Sequence, residues 1–170
     1  MKKAFTIIEL MIVLAILWIL STVALSTSKS FQKYEPDSLY YYLENQKWKF
    51  LNINSVNYKW KIPEKYRIIF QYMKKPYTEV YIDNKRLFYD QSSIYVSTIW
   101  LNWNKLGYGQ KIIIENNYLT SDLKNRIKYY LYDIDWTIKD ITNIFNELCI
   151  LDFDKRKYCI NKNLDIKLMD

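Results

Sequence analysis

The chain has 170 residues, a formal net charge of +7 and no histidine. The missing imidazole excludes His-based triads, His general bases and His metal ligands, and two glycines, Gly107 and Gly109, cannot build a glycine-rich phosphate cradle. Lys, Asn, Ile and Tyr are abundant together, so the basic balance reads first as an AT-rich composition and only second as a nucleic-acid footprint; no enzymatic activity and no cofactor are expected.

The chain is organised around its N-terminus. Lys2 and Lys3 precede an apolar run from Phe5 to Leu25. At about 1.5 Å per helical residue the run spans roughly 30 Å, the thickness of a bilayer's hydrocarbon core. The two lysines hold the N-terminus in the cytoplasm and place the C-terminal part outside. Glu9 breaks the run, and an ionisable group inside a membrane segment is costly and marks function. An ordinary signal peptide or anchor, with Ala24 and Ser26 as a weak cleavage site, is the alternative and leaves Glu9 unexplained.

Lys2-Lys3-Ala4 followed by Phe5-Thr6-Ile7-Ile8-Glu9-Leu10 resembles the N-terminal motif of type IV pilins and of the pseudopilins of type II secretion. The resemblance covers about the first 30 residues. It implies a leader at residues 1–4, a cut between Ala4 and Phe5, methylation of the new N-terminal Phe5, and a filament-core and transmembrane helix at residues 5–25. It implies that Glu9 faces the N-terminal amine of a neighbouring subunit during assembly. Three positions depart from the family pattern: Ala4 replaces the usual glycine before the cut, Ser26 a common proline, and Trp18 a frequent glycine.

Residues 26–170 are then an extracytoplasmic headpiece, long enough for one core. Pro36 interrupts the first helix, and a second starts near Glu35 or Asp37, with Leu39, Tyr42, Leu43, Gln46 and Phe50 on one face. Tyr66–Tyr72 reads as a strand, and Thr78–Ile82 with Arg86–Tyr89 as a hairpin. Ser93–Ile99 and Lys111–Glu115 read as further strands, joined by the loop that holds both glycines. Thr120-Ser121-Asp122 reads as a helix N-cap ahead of Leu123, Ile127, Tyr130 and Leu131, with a strand over Tyr130–Ile134 as the alternative. Asp140–Leu148 reads as another helix. The expected class is α+β: a long apolar helix, an antiparallel sheet of about four strands, and a C-terminal region closed by a disulfide.

The last piece carries Cys149 and Cys159. Outside the cytoplasm a disulfide between them is expected, with two buried free thiols as the alternative. Lys155, Arg156 and Lys157 lie inside that loop and offer a DNA contact, diluted by Asp152 and Asp154. With glycine in place of Trp136, Asp133, Asp135 and Asp140 would partly resemble the front of a calcium loop, against a plain solvated acidic turn.

The resemblance implies a structural subunit, a minor pilin or pseudopilin of a type IV pilus-like filament. A DNA-binding minor pilin for uptake and a type II secretion pseudopilin are the alternatives. Its partners would be other pilin subunits, the prepilin peptidase and methyltransferase, and the inner-membrane assembly machinery. The precursor would sit in the cytoplasmic membrane, N-terminus inside, before passing to a surface or periplasmic filament.

The tryptophans are odd. The chain has six, against two glycines where roughly 7% is usual. Trp18 takes a family glycine position, while Trp100, Trp103 and Trp136 sit in contexts that suit glycine turns. Some or all of the six would be UGA codons that the source reads as glycine, as certain bacterial lineages do; six genuine tryptophans are the alternative.

Overall fold

The structure is a computed structural model that describes residues 11–18, 38–56, 58, 60–122 and 125–169. The chain divides into two compact units, Met1–Pro36 and Asp37–Asp170. In the first, residues 11–18 form helix α1, whose side chains are apolar on every face and exposed. A helix apolar all round needs cover from lipid or from other helices. Among the described residues no helix is long and apolar enough to cross a membrane. Most of the span expected at residues 5–25, and Pro36 after it, lies outside the described residues.

The second unit opens with helix α2, Leu39–Leu51. Ser38 caps it: its hydroxyl accepts from the Tyr41 N–H at 3.3 Å, satisfying one of the free donors of the first turn. Leu39, Leu43, Gln46 and Phe50 form the buried face, the stripe the helical spacing predicts. At the far end both the backbone N–H and the side-chain amide of Asn52 donate to the Trp48 carbonyl. A single 3-10 turn, Ile53–Ser55, follows.

The rest is antiparallel sheet. In chain order the strands are β1 (Lys65–Gln71), β2 (Tyr77–Ile82), β3 (Lys85–Gln91), β4 (Val96–Leu101), β5 (Asn104–Lys105) and β6 (Lys111–Asn117). They continue as β7 (Ile127–Tyr132), β8 (Ile138–Asp140), β9 (Glu147–Asp152), β10 (Lys157–Asn161) and β11 (Ile166–Met169). One sheet has six strands in the order β3-β2-β1-β6-β7-β8, the other five in the order β11-β10-β9-β4-β5. Helix α2 packs against β1 of the first sheet and β11 of the second. Tyr66, Ile68 and Phe70 of β1, Ile112 and Ile114 of β6, Ile99 of β4 and Ile150 of β9 share the core with the α2 stripe.

The expected sheet of about four strands is therefore too small. The strands read over Tyr66–Tyr72 and Lys111–Glu115 are present, and so is the hairpin of Thr78–Ile82 with Arg86–Tyr89, turned by Asp83-Asn84. The expected strand Ser93–Ile99 is shifted to Val96–Leu101 and gains a short partner in β5.

Two expected helices are not formed: one is a strand, the other mostly a turn between strands. Residues 127–132, Ile-Lys-Tyr-Tyr-Leu-Tyr, are β-branched and aromatic, and they pair with β6 from Lys111↔Tyr132 to Asn116↔Ile127. Thr120-Ser121-Asp122 leads into a turn instead, where the Asn125 N–H bonds the Asp122 carbonyl; the same short polar side chains serve both ends. At Asp140–Leu148 only one turn is helical in spacing. The Phe145 N–H donates to the Ile141 carbonyl at 2.8 Å, and both side chains are buried. Leu148 already belongs to β9.

Candidate functional site

The C-terminal hairpin β9–β10 holds the disulfide. Cys149 stands directly opposite Cys159, with the two Cα atoms 4.1 Å apart and both residues buried. That spacing matches the close, non-hydrogen-bonded pair of an antiparallel ladder, where cross-strand side chains approach nearest. The bond links Cys149 to Cys159 and closes a short loop, expected to contribute about 2–3 kcal/mol by restricting the unfolded chain.

The turn at the loop's tip is built by Asp152. Its N–H donates to the Arg156 carbonyl at 3.0 Å, and its carbonyl accepts from the Lys155 N–H at 3.3 Å. Its buried carboxylate accepts from the Arg156 N–H at 2.9 Å and from Arg156 Nε at 3.1 Å. Arg156 Nη2 also donates to Asp154 at 2.7 Å.

The three basic residues are thus parted in role. Arg156 is held by two carboxylates, Lys155 sits exposed at the turn with φ of 64°, and Lys157 lies over the rings of Trp100 and Trp103 at 5.5 and 5.8 Å. No uniform cationic face results from this run. Asp152 is thus more than a charge diluting the patch: an Asp five residues before Lys157, at a hairpin corner, is the residue type that closes such a turn.

Asp133, Asp135 and Asp140 flank the turn between β7 and β8. Asp133 accepts from its neighbour Ile134 N–H at 2.8 Å, from Gln110 at 3.1 Å and from Lys139 at 3.3 Å. Asp135 accepts from the Thr137 hydroxyl and N–H, and Asp140 from the Thr142 N–H. These donors hold all three carboxyls below the ordinary range: the Ile134 N–H foremost for Asp133, the Thr137 hydroxyl for Asp135 and the Thr142 hydroxyl for Asp140. Each carboxylate closes its own local turn, and the structure does not gather the three around one point. Among the described residues the one cluster with cation-ligand spacing is Glu147, Cys149 and Cys159, and its sulfurs are already bonded to each other.

Ala4, Phe5 and Glu9 lie outside the described residues. For this segment the comparison with protein families is informative. Residues 1–25 match the model of the prokaryotic N-terminal methylation motif, so the chain carries a type IV pilin-like motif at its N-terminus. No curated protein and no solved structure matches the chain.

Proposed function

We propose that this chain is the precursor of a structural subunit of a type IV pilus-like filament, a minor pilin or a pseudopilin. The observation that carries the reading is the methylation motif over residues 1–25. In this reading a prepilin peptidase cuts between Ala4 and Phe5, Phe5 is N-methylated, and the apolar helix stays in the mature chain. The helix anchors the precursor in the cytoplasmic membrane and later packs in the filament core. The headpiece, with its disulfide, lies outside the cytoplasm, where such bonds persist.

Glu9 has a physical role in this scheme. A carboxylate left unpaired in the hydrocarbon core costs about 3 kcal/mol or more. The terminal ammonium of a neighbouring Phe5 removes that cost only when the two helices are in register, so pairing selects correct assembly. Glu9→Val removes the carboxylate while leaving the helix more apolar. It is expected to stay membrane-anchored and cleaved yet fail to enter filaments; filaments containing the variant at the parent level would refute the role.

The assignment itself is tested by peptide mass spectrometry of the protein from its host. An N-terminal peptide beginning at methylated Phe5 is the expected result. A chain beginning at Met1, or after residue 24, would make it an ordinary anchor or secreted domain.

A further inference from the structure

The backbone sorts the tryptophans. Trp60, Trp103 and Trp136 hold φ of 66°, 70° and 68°, the left-handed region. That region costs an L-residue roughly 1–2 kcal/mol through its Cβ, and glycine enters it freely. Three of the six tryptophans are there, yet none of the described tyrosines or phenylalanines is. Ring size alone therefore does not explain the placement.

Each of the three occupies a turn corner that glycine fills by preference. Leu101 pairs with Asn104, so Asn102 and Trp103 are a two-residue hairpin loop, both with positive φ. That is a type I′ turn, whose strongest sequence signature is Asn-Gly. Asp83-Asn84 make the same turn between β2 and β3 with residues that tolerate it. Tyr58 and Lys61 exchange two backbone hydrogen bonds, which puts Trp60 at the second position of another two-residue loop. Trp136 donates its N–H to the Asp133 carbonyl while the Asp133 N–H bonds Thr137. It is the left-handed residue of a three-residue hairpin loop, the place of the glycine in a G1 bulge.

Burial does not offset the strain. The three side chains are 94%, 78% and 77% exposed. Trp103 meets Lys157, and Trp136 meets the Tyr132 ring edge-on at 6.1 Å, both at the surface. Leu164, also left-handed, is 5% exposed and regains its cost by core burial, and Lys155 keeps its charge in water. Two of the other three differ: Trp48 is inside α2, and Trp100 is a half-buried residue of β4 paired with Cys149. Neither backbone asks for glycine. Trp18 is helical, so its backbone does not decide the matter.

We propose that residues 60, 103 and 136 are glycine in the protein as its cell makes it, encoded by UGA and decoded there as glycine, and that residues 48 and 100 are true tryptophan. The glycine count then rises toward the ordinary range, and the Asn102 and Asp135 turns become Asn-Gly and Asp-Gly. The aromatic and basic cluster at Lys157 shrinks to Trp100 alone.

The gene and the native protein decide it. UGA at codons 60, 103 and 136 with UGG at 48 and 100 is expected, and UGG at any of the three turn positions overturns the proposal. Peptides from the native host should weigh as glycine at all three and as tryptophan at 48 and 100; the reverse at any position overturns it, including UGA read as tryptophan. Full-length W60G, W103G and W136G should each raise the unfolding midpoint, whereas W100G lowers it. A midpoint unchanged or lowered in all three turn variants would remove the physical basis.

Discussion

Gln46 lies on the buried face of α2 among Leu39, Leu43 and Phe50, fully enclosed. A buried amide must satisfy both ends. Its Nε2 donates to Asp90 at 2.8 Å, and its Oε1 accepts from the Tyr66 hydroxyl. Asp90 is further paired with Lys49 at 3.4 Å, so one small network joins α2 to β1 and β3. The Tyr42 hydroxyl is buried next to it, with no hydrogen-bond partner among the described residues. Removing the two hydroxyls should therefore have unequal consequences. Tyr66→Phe orphans the Gln46 oxygen and is expected to cost about 1–3 kcal/mol. Tyr42→Phe deletes a hydroxyl that lies near Thr78 without a well-formed hydrogen bond and is expected to cost clearly less. Urea unfolding of the two variants checks this; equal losses would mean the network has no share in stability.

Three hairpins of the headpiece share one device, a three-residue loop whose last residue is left-handed: Trp136 after Asp133, Lys155 after Asp152 and Leu164 after Asn161. Each opens on Asp or Asn, whose side chains close turns of this kind. The disulfide crosses the middle one, where β9 already pairs with both β10 and β4. A strand held on both sides keeps its place without the bond, so Cys149→Ala with Cys159→Ala should fold and lose only about 2–3 kcal/mol. Unchanged stability would show that the bond does not restrict the unfolded chain to that extent; failure to fold would show that the bond is needed to form the ladder. The same region shows where the sequence was legible. Strand β2 alternates buried and half-buried positions up to the Asp83-Asn84 turn, and the α2 stripe is spaced for a helix, so each has one reading. Residues 127–132 carry apolar groups that suit both periods, and pairing to β6 chose between them. Ile141 and Phe145 keep helical spacing because a single turn needs no more. The β4–β5 turn showed in the sequence only as a context that suits a glycine turn at Asn102-Trp103. The N-terminal motif was legible because its signal is local: two lysines, then an apolar run broken by one carboxylate.

At the scale of the molecule, the N-terminal unit is apolar and exposed along residues 11–18, while the unit from Asp37 closes its own core under aromatic residues. Several of these aromatics are tyrosines, and that gives the headpiece a pH limit. Burial pushes the phenols of Tyr42, Tyr66 and Tyr118 well above their ordinary range, and that of Tyr129 up to about 12. Tyr129 is stacked on Phe145 with ring centroids 3.8 Å apart and donates to the Lys162 carbonyl at 3.1 Å. An unfolded phenol ionises near pH 10, so below that pH both states hold the proton and stability does not depend on these groups. Above it the unfolded chain loses protons that the folded one keeps, and stability falls as pH rises toward the folded values. Tyr129 alone would forfeit roughly 2–3 kcal/mol between about pH 10 and 12. The midpoint of urea unfolding should thus drop steeply above about pH 10, with phenolate absorbance from the buried group appearing together with loss of circular dichroism. A midpoint flat to about pH 11.5 would mean that these hydroxyls reach water in the folded headpiece and that the core is not closed as described.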